Sequence, residues 1–134
     1  MKDQHQIAAL NDQFRRGDAS LGLWVTTTGI DSLSHDRKQD LMQAVRDYKD
    51  FTEDNDPYGE HDFGVVKWAG SEYFWEIICY DKGLQHLSPH PENPSLTTRV
   101  LTLMLAEEYY TTTVDGHPTQ EQTTLNRIRS AVLP

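Results

Sequence analysis

Apolar positions along the chain recur with two periods, and these divide it into helices and strands. Ile7, Leu10 and Phe14 fall at i, i+3 and i+7, which predicts an amphipathic helix over residues 4–16, stopped by Gly17. The run Leu23-Trp24-Val25-Thr26-Thr27-Thr28 is rich in β-branched residues and ends at Gly29, so it predicts a strand. Ser34 is placed to cap a second helix, with Asp36 in its first turn and Leu41, Val45 and Tyr48 as its buried stripe. Residues 51–62 are dense in Asp, Asn, Pro and Gly and read as a loop. Two strands follow, over 63–69 and 72–80, with Gly70-Ser71 as a two-residue hairpin turn that puts Gly first. In the second strand Tyr73, Trp75, Ile77 and Cys79 share one face and Phe74, Glu76, Ile78 and Tyr80 the other. Both faces are apolar enough to predict a central strand.

Residues 83–94 contain Pro89, Pro91 and Pro94 and form an irregular connection. Asn93 followed by Pro94 is a good helix start. Leu96, Val100, Leu103 and Met104, widened by Leu101 and Leu105, then predict the core helix, running to about Tyr110. A polar linker over 111–118 leads to a capping box at Thr119 and Gln122. Leu125, Ile128 and Val132 give a last short helix, with Arg127 and Arg129 near its end. The order α-β-α-β-β-α-α predicts an α+β fold: a small antiparallel sheet of about three strands with helices packed on it. At 134 residues this is one domain over 1–134. No apolar run is long enough for a membrane span, and the polar start of the chain has no secretory core. One cysteine, Cys79, excludes an internal disulfide framework and a cysteine-based zinc cluster. These features together predict a cytoplasmic protein.

Charge changes the picture more than composition does. Twelve Lys and Arg face 21 Asp and Glu, a net charge of −9. Such a chain is a poor binder of DNA, RNA or an anionic membrane, all of which call for basic protein surfaces. The charge is also uneven. Between residues 40 and 62 stand Asp40, Asp47, Asp50, Glu53, Asp54, Asp56, Glu60 and Asp62 against only Arg46 and Lys49, which leaves −6. A field of this size draws basic partners or cations, or else simply solubilises one face.

Three readings compete for the loop Asp50-Phe51-Thr52-Glu53-Asp54-Asn55-Asp56-Pro57-Tyr58-Gly59-Glu60-His61-Asp62-Phe63-Gly64. The first is a cation site. Asp54, Asp56, Gly59 and Asp62 occupy positions one, three, six and nine of a calcium loop, but Pro57 and Tyr58 interrupt the pattern and Val65 replaces its last ligand. A looser site would use Asp54, Asp56, Glu60, His61 and Asp62, a donor set suited to Mg²⁺ or Mn²⁺. The second is acid–base catalysis by Glu60, His61 and Asp62 beside Tyr58. Consecutive residues at a strand entry point to alternate faces, which opposes their convergence on one atom. The third is a structural loop: Asp and Asn shape its turns, Pro57 fixes φ, Gly59 permits positive φ, and carboxylates face outward toward a partner.

Other candidates are weaker. Ser34-His35-Asp36 has the residue types of a triad without its geometry. Pro89 breaks the helical spacing of His86 and His90. Cys79 reads as a small strand hydrophobe, and Trp24, Trp68 and Trp75 as core residues. No phosphate-cradling glycine motif is present.

The 50–64 motif resembles the hallmark of a bacterial family of unknown function. Further similarity lies in Ile7-Ala8-Ala9-Leu10-Asn11-Asp12-Gln13-Phe14-Arg15-Arg16, Phe74-Trp75-Glu76-Ile77, Tyr80-Asp81, and Pro91-Glu92-Asn93-Pro94 with the segment from Arg99 to Tyr109. The resemblance covers about residues 4–110. It implies a small cytoplasmic accessory protein of proteobacteria, often carried on plasmids or prophage-like islands, with no catalytic residue and no cofactor to carry over. By analogy, small acidic proteins of mobile elements act as anti-defence factors that occupy a basic nucleic-acid channel. The leading expectation is therefore a non-enzymatic inhibitor, of anti-CRISPR or antirestriction type, that binds a basic surface of a nucleic-acid-processing complex. Asp47, Asp50, Glu53, Asp54, Asp56, Glu60 and Asp62 would supply the negative surface and Tyr58 an aromatic anchor. A metal-dependent enzyme using the Asp/Glu/His loop, and a plasmid accessory or regulatory protein without a defence role, are the alternatives. Tyr109, Tyr110 and the last helix offer either a homodimer seam or closure of the core.

Overall fold

A computed structural model of the protein describes residues 3–111. The linker and the last helix expected around Leu125, Ile128 and Val132 lie outside the described residues. The elements run α1 (Gln4–Arg15), β1 (Gly22–Thr26), a single turn α2 (Thr28–Asp31), α3 (His35–Arg46), β2 (Phe63–Trp68), β3 (Ser71–Tyr80), β4 (Thr98–Leu105) and α4 (Ala106–Thr111). This is the expected α+β class. Side-chain caps start both helices, the one at Ser34 as the sequence suggests. Asp3 accepts from the Gln6 amide at 3.1 Å to open α1, and the Ser34 hydroxyl accepts from the Arg37 amide at 3.2 Å to open α3.

Two expectations about the sheet are corrected. Among the described residues it has four strands in the order β1-β4-β3-β2, and it is mixed: β2, β3 and β4 are antiparallel, whereas β1 pairs parallel with β4. The extra strand is the segment expected to be the core helix. Asn93 and Pro94 do start a helical turn, with Asn93 accepting from the Ser95 amide at 3.0 Å, but the turn is 3-10 in type and ends at Leu96. From Thr98 onward the chain is extended, and only Ala106–Thr111 is helical. The physical reason is burial on both faces. A central strand flanked by β1 and β3 needs no polar side, so its continuous apolar run imitates a buried helix. The hairpin turn also differs from the expected one. Trp68 pairs with Ser71, so the two loop residues are Ala69 and Gly70, both at positive φ (51° and 83°). This is the twist-matched turn of the I′ kind rather than one with Gly first.

The helices α1 and α3 pack on one face of the sheet. Phe14, Leu41 and Val45 meet Trp75, Ile77, Leu101 and Leu103 there. On the opposite face Val25, Tyr80 and Val100 form a smaller cluster with Leu23, Ile78 and Leu84. Gly64 is required where β2 crosses Trp75, because a Cβ at that position would run into the indole nitrogen. The stripe that α1 buries holds polar side chains as well: Ile7, Ala8, Asn11, Phe14 and Arg15.

Arg15 is fully buried. Its Nε donates to the Val45 carbonyl at 3.1 Å and its Nη2 to the Tyr48 carbonyl at 2.9 Å, both at the end of α3. The Nη1 meets Asp12 at 2.9 Å. The guanidinium carbon lies 5.2 Å from the Trp75 ring and 5.3 Å from the Phe51 ring. One side chain thus joins α1, the C-terminus of α3, the sheet and the start of the acidic loop. Arg15→Met fills the space but abandons two carbonyls and a carboxylate. Chemical denaturation should show a loss of about 3 kcal/mol. A loss below about 1 kcal/mol would show that packing alone holds α1 to α3.

Candidate protein-binding loop

The loop between α3 and β2 is built from its own side chains. The Thr52 amide donates to Asn55 Oδ1 at 2.8 Å, and the Asn55 amide returns a bond to Thr52 Oγ1 at 3.2 Å. Asn55 Nδ2 reaches the Asp50 carbonyl at 2.8 Å. The Asp56 amide bonds Thr52 O at 2.8 Å, and Gly59, at φ 65°, bonds Asp56 O at 3.0 Å. These are the Asx-type turns that the Asp and Asn content suggests.

His61 then closes the loop onto the body of the protein. It has φ of 55°, a conformation uncommon for a residue with a side chain. Four contacts hold it there. Its amide donates to the Asp56 carboxylate at 3.2 Å. Its ring stacks on Phe51 with centroids 4.0 Å apart and planes within 1°. Nδ1 is 3.0 Å from both oxygens of Asp12, and Nε2 is 3.6 Å from Asp56 Oδ2. The polar chain Arg15–Asp12–His61–Asp56 therefore runs from the buried core to the loop. Beside it, Asn11 Nδ2 holds the Glu60 carbonyl at 2.9 Å. Asn11 Oδ1 accepts from Arg99 Nε at 2.7 Å. Arg99 is fully buried on β4, and burial holds its guanidinium below the ordinary arginine range.

The candidate residues divide into two groups. Asp47, Asp50, Glu53, Asp54 and Tyr58 are exposed, Tyr58 to 71%. Asp56, expected on the negative surface, is instead buried, only 9% exposed, and spent on the His61 amide and ring. Glu60 and Asp62 are half-buried and line a depression of about 320 Å³ with Asn11, Phe63 and Glu76. Burial, and next the neighbouring charge of Glu60, push the Asp62 carboxyl up to about 6.

The geometry bears on two of the readings. Among the described residues no group of three or more His, Cys, Asp or Glu side chains is arranged to hold a metal ion. Asp54, Asp56, Glu60, His61 and Asp62 are not gathered into such a group. Both ring nitrogens of His61 face carboxylates, so the ring serves as a clamp rather than an open acid or base. Asn11, Asp12, Arg15 and Phe51 support the loop and were not among the sequence candidates. The signal for two of them was available: Asn11 and Arg15 sit at i+4 and i+8 from Ile7, on the apolar stripe itself.

Residues 26–108 match the model of a family described as a protein of unknown function (DUF3768), and the chain belongs to that family. The matched span contains the whole 50–64 loop, whereas α1 precedes it. No curated protein and no solved structure matches the chain.

The Asp62 carboxyl gives a pH signature. The folded protein holds a proton there that the unfolded chain, with an ordinary value of 3.8, releases. Stability therefore falls as pH rises from about 4 through about 6, and Asp62 contributes no further change above that range. Asp62→Asn should match the wild type at pH 4 and exceed it at pH 7.5 by about 1–2 kcal/mol, partial solvent access limiting the gain. Denaturation of both proteins at the two pH values checks this. An equal difference at both would remove the assignment.

Proposed function

We propose that this protein is an acidic, non-enzymatic protein-binding module that docks its 50–62 loop on a basic surface of a nucleic-acid-processing complex. It acts there in a bacterial cytoplasm as an inhibitor of anti-CRISPR or antirestriction type. The observation that carries the reading is the division of labour within the loop. Asp56, His61 and Phe51 face inward and brace it, with Asn55 tying its turns together, while Tyr58, 71% exposed, and Asp47, Asp50, Glu53 and Asp54 face solvent. A braced loop has little conformational entropy left to lose on binding. Exposed tyrosines are enriched among the anchors of protein interfaces. The carboxylates stand in for phosphates before the partner's Lys and Arg, and give speed and selectivity of encounter. Among the described residues no helix is long and apolar enough to cross a membrane.

Capture of nuclease-treated host proteins on the tagged chain, read by mass spectrometry, tests the reading. A nucleic-acid-processing complex should be retained at low salt and lost at high salt, since exposed charges are screened. Tyr58→Ala, and separately Glu53→Lys with Asp54→Lys, should abolish retention with melting temperatures unchanged. Asp56 is left intact because its carboxylate holds the loop. Retention of the complex by both variants would refute the assignment of this face.

A further inference from the structure

β3 is longer than the strand beside it. β2 begins at Phe63, opposite Glu76, and the Asp62 carbonyl adds one last bond by accepting from the Ile77 amide at 2.7 Å. Pairing on that edge resumes only where the Ser88 amide donates to the Cys79 carbonyl at 2.9 Å and Leu87 bridges to Tyr80. The depression of about 320 Å³ opens in this gap. Because the Ile77 amide points to the gap side, strand alternation sends the Ile77 carbonyl the same way. Ile77 is 3% exposed, and among the described residues nothing donates to that carbonyl. Three carboxylates, Glu60, Asp62 and Glu76, line the depression, and no Lys, Arg or His side chain does. The cations that adjoin it are engaged elsewhere: His61 with Asp12 and Asp56, Arg99 with Asn11 and Pro91. Burial and the charge of Glu60 keep the Asp62 carboxyl up at about 6, the state of a carboxyl with little positive charge against it.

We infer that this depression receives an arginine side chain from a protein partner, its guanidinium held by Glu60, Asp62, Glu76 and the Ile77 carbonyl. The inference rests on the proposed recognition of a basic partner and names where one of its side chains is held. Charge selects the guest: a hollow lined by carboxylates and by no basic side chain is complementary to a cation. Among the described residues no three acidic, His or Cys side chains are gathered for a metal ion, which favours a larger, organic cation. A guanidinium carries five N–H donors, enough to serve several carboxylates and a carbonyl at once, where an ammonium has three. The rest of the lining suits the aliphatic stem, since Phe63, Ile78 and Pro91 are apolar. Leu87 also lines the depression and is itself 49% exposed. Residues next to the arginine in a polypeptide would cover it, and a free guanidinium compound would not.

The test is an NMR titration of the full chain with acetyl-Leu-Arg-Leu-amide at pH 7.5, where Asp62 is ionised. Amide shifts should concentrate at Glu60, Asp62 and residues 77–79. The same peptide with citrulline in place of arginine keeps the shape and loses the charge, and should bind at least about tenfold more weakly. Asp62→Asn, which is expected to stabilise the fold at this pH, should weaken binding of the arginine peptide by about fivefold or more. Propylguanidinium, the side chain without a peptide, should also bind at least about fivefold more weakly than the peptide. An absence of shifts around the depression, or equal binding of the citrulline peptide, would overturn the inference. So would an unchanged affinity in Asp62→Asn. Propylguanidinium binding as tightly as the peptide would assign the depression to a free cation and overturn it too. If the peptide fails while the Tyr58 and Asp54 variants still lose the captured complex, the depression is wrong and the loop reading stands. If the peptide binds while those variants keep the complex, the loop reading falls and the arginine site stands.

Discussion

The buried guanidinium of Arg15 is the point on which this structure turns. A cation with no exposure to water is tolerated only where its hydrogen-bond donors are met. Here they are met by two carbonyls at the end of α3 and by Asp12, with two aromatic rings alongside. Its partners tie down the stretch where α3 ends, because Val45 lies in the last turn of the helix and Tyr48 just beyond it. The direction in which the chain leaves α3, and so the root of the acidic loop, is set from inside the core.

From that root the constraint is handed outward. Asp12 is held by Arg15 and in turn orients His61; His61 shares Asp56 with its own backbone and stacks on Phe51. The second buried arginine, Arg99, repeats the device through Asn11, which grips the loop at Glu60. Both routes pass through α1, although α1 lies before the span that matches the family model. The residues that project to solvent are therefore not arranged by the loop alone. They are the outer ends of a network whose inner ends lie under the sheet.

Much of this was legible in the sequence and some was not, for identifiable reasons. The helices opened by Asp3 and Ser34 and the strands of the β2–β3 hairpin follow their local signals. The segment from Thr98 to Leu105 does not, since a strand buried on both faces has lost the alternation that distinguishes it from a buried helix. Its parallel pairing with β1 is a tertiary fact with no local signature. In the loop, the concentration of Asp, Asn, Pro and Gly marked the region. It could not show that Asp56 turns inward while Asp54 stays exposed, because that sorting depends on His61, and His61 depends on Asp12, 49 positions away. The polar members of the α1 stripe were the one clue of this kind within reach.

The strand order also governs how the chain can come together in time. The β2–β3 hairpin has all its partners nearby, but β1 pairs only with β4, whose register joins Gly22 to Arg99 and Thr26 to Leu103. Of the described strands, β4, in the middle of the sheet, is thus the last to leave the ribosome. Until it does, β1 has no neighbour and β3 has one bare edge, so the two apolar faces wait unsealed. Long-range pairings of this sort slow folding and expose strand edges to neighbours in the meantime. The dense negative charge between residues 40 and 62 is already synthesised by then. Its mutual repulsion keeps nascent chains apart during that interval.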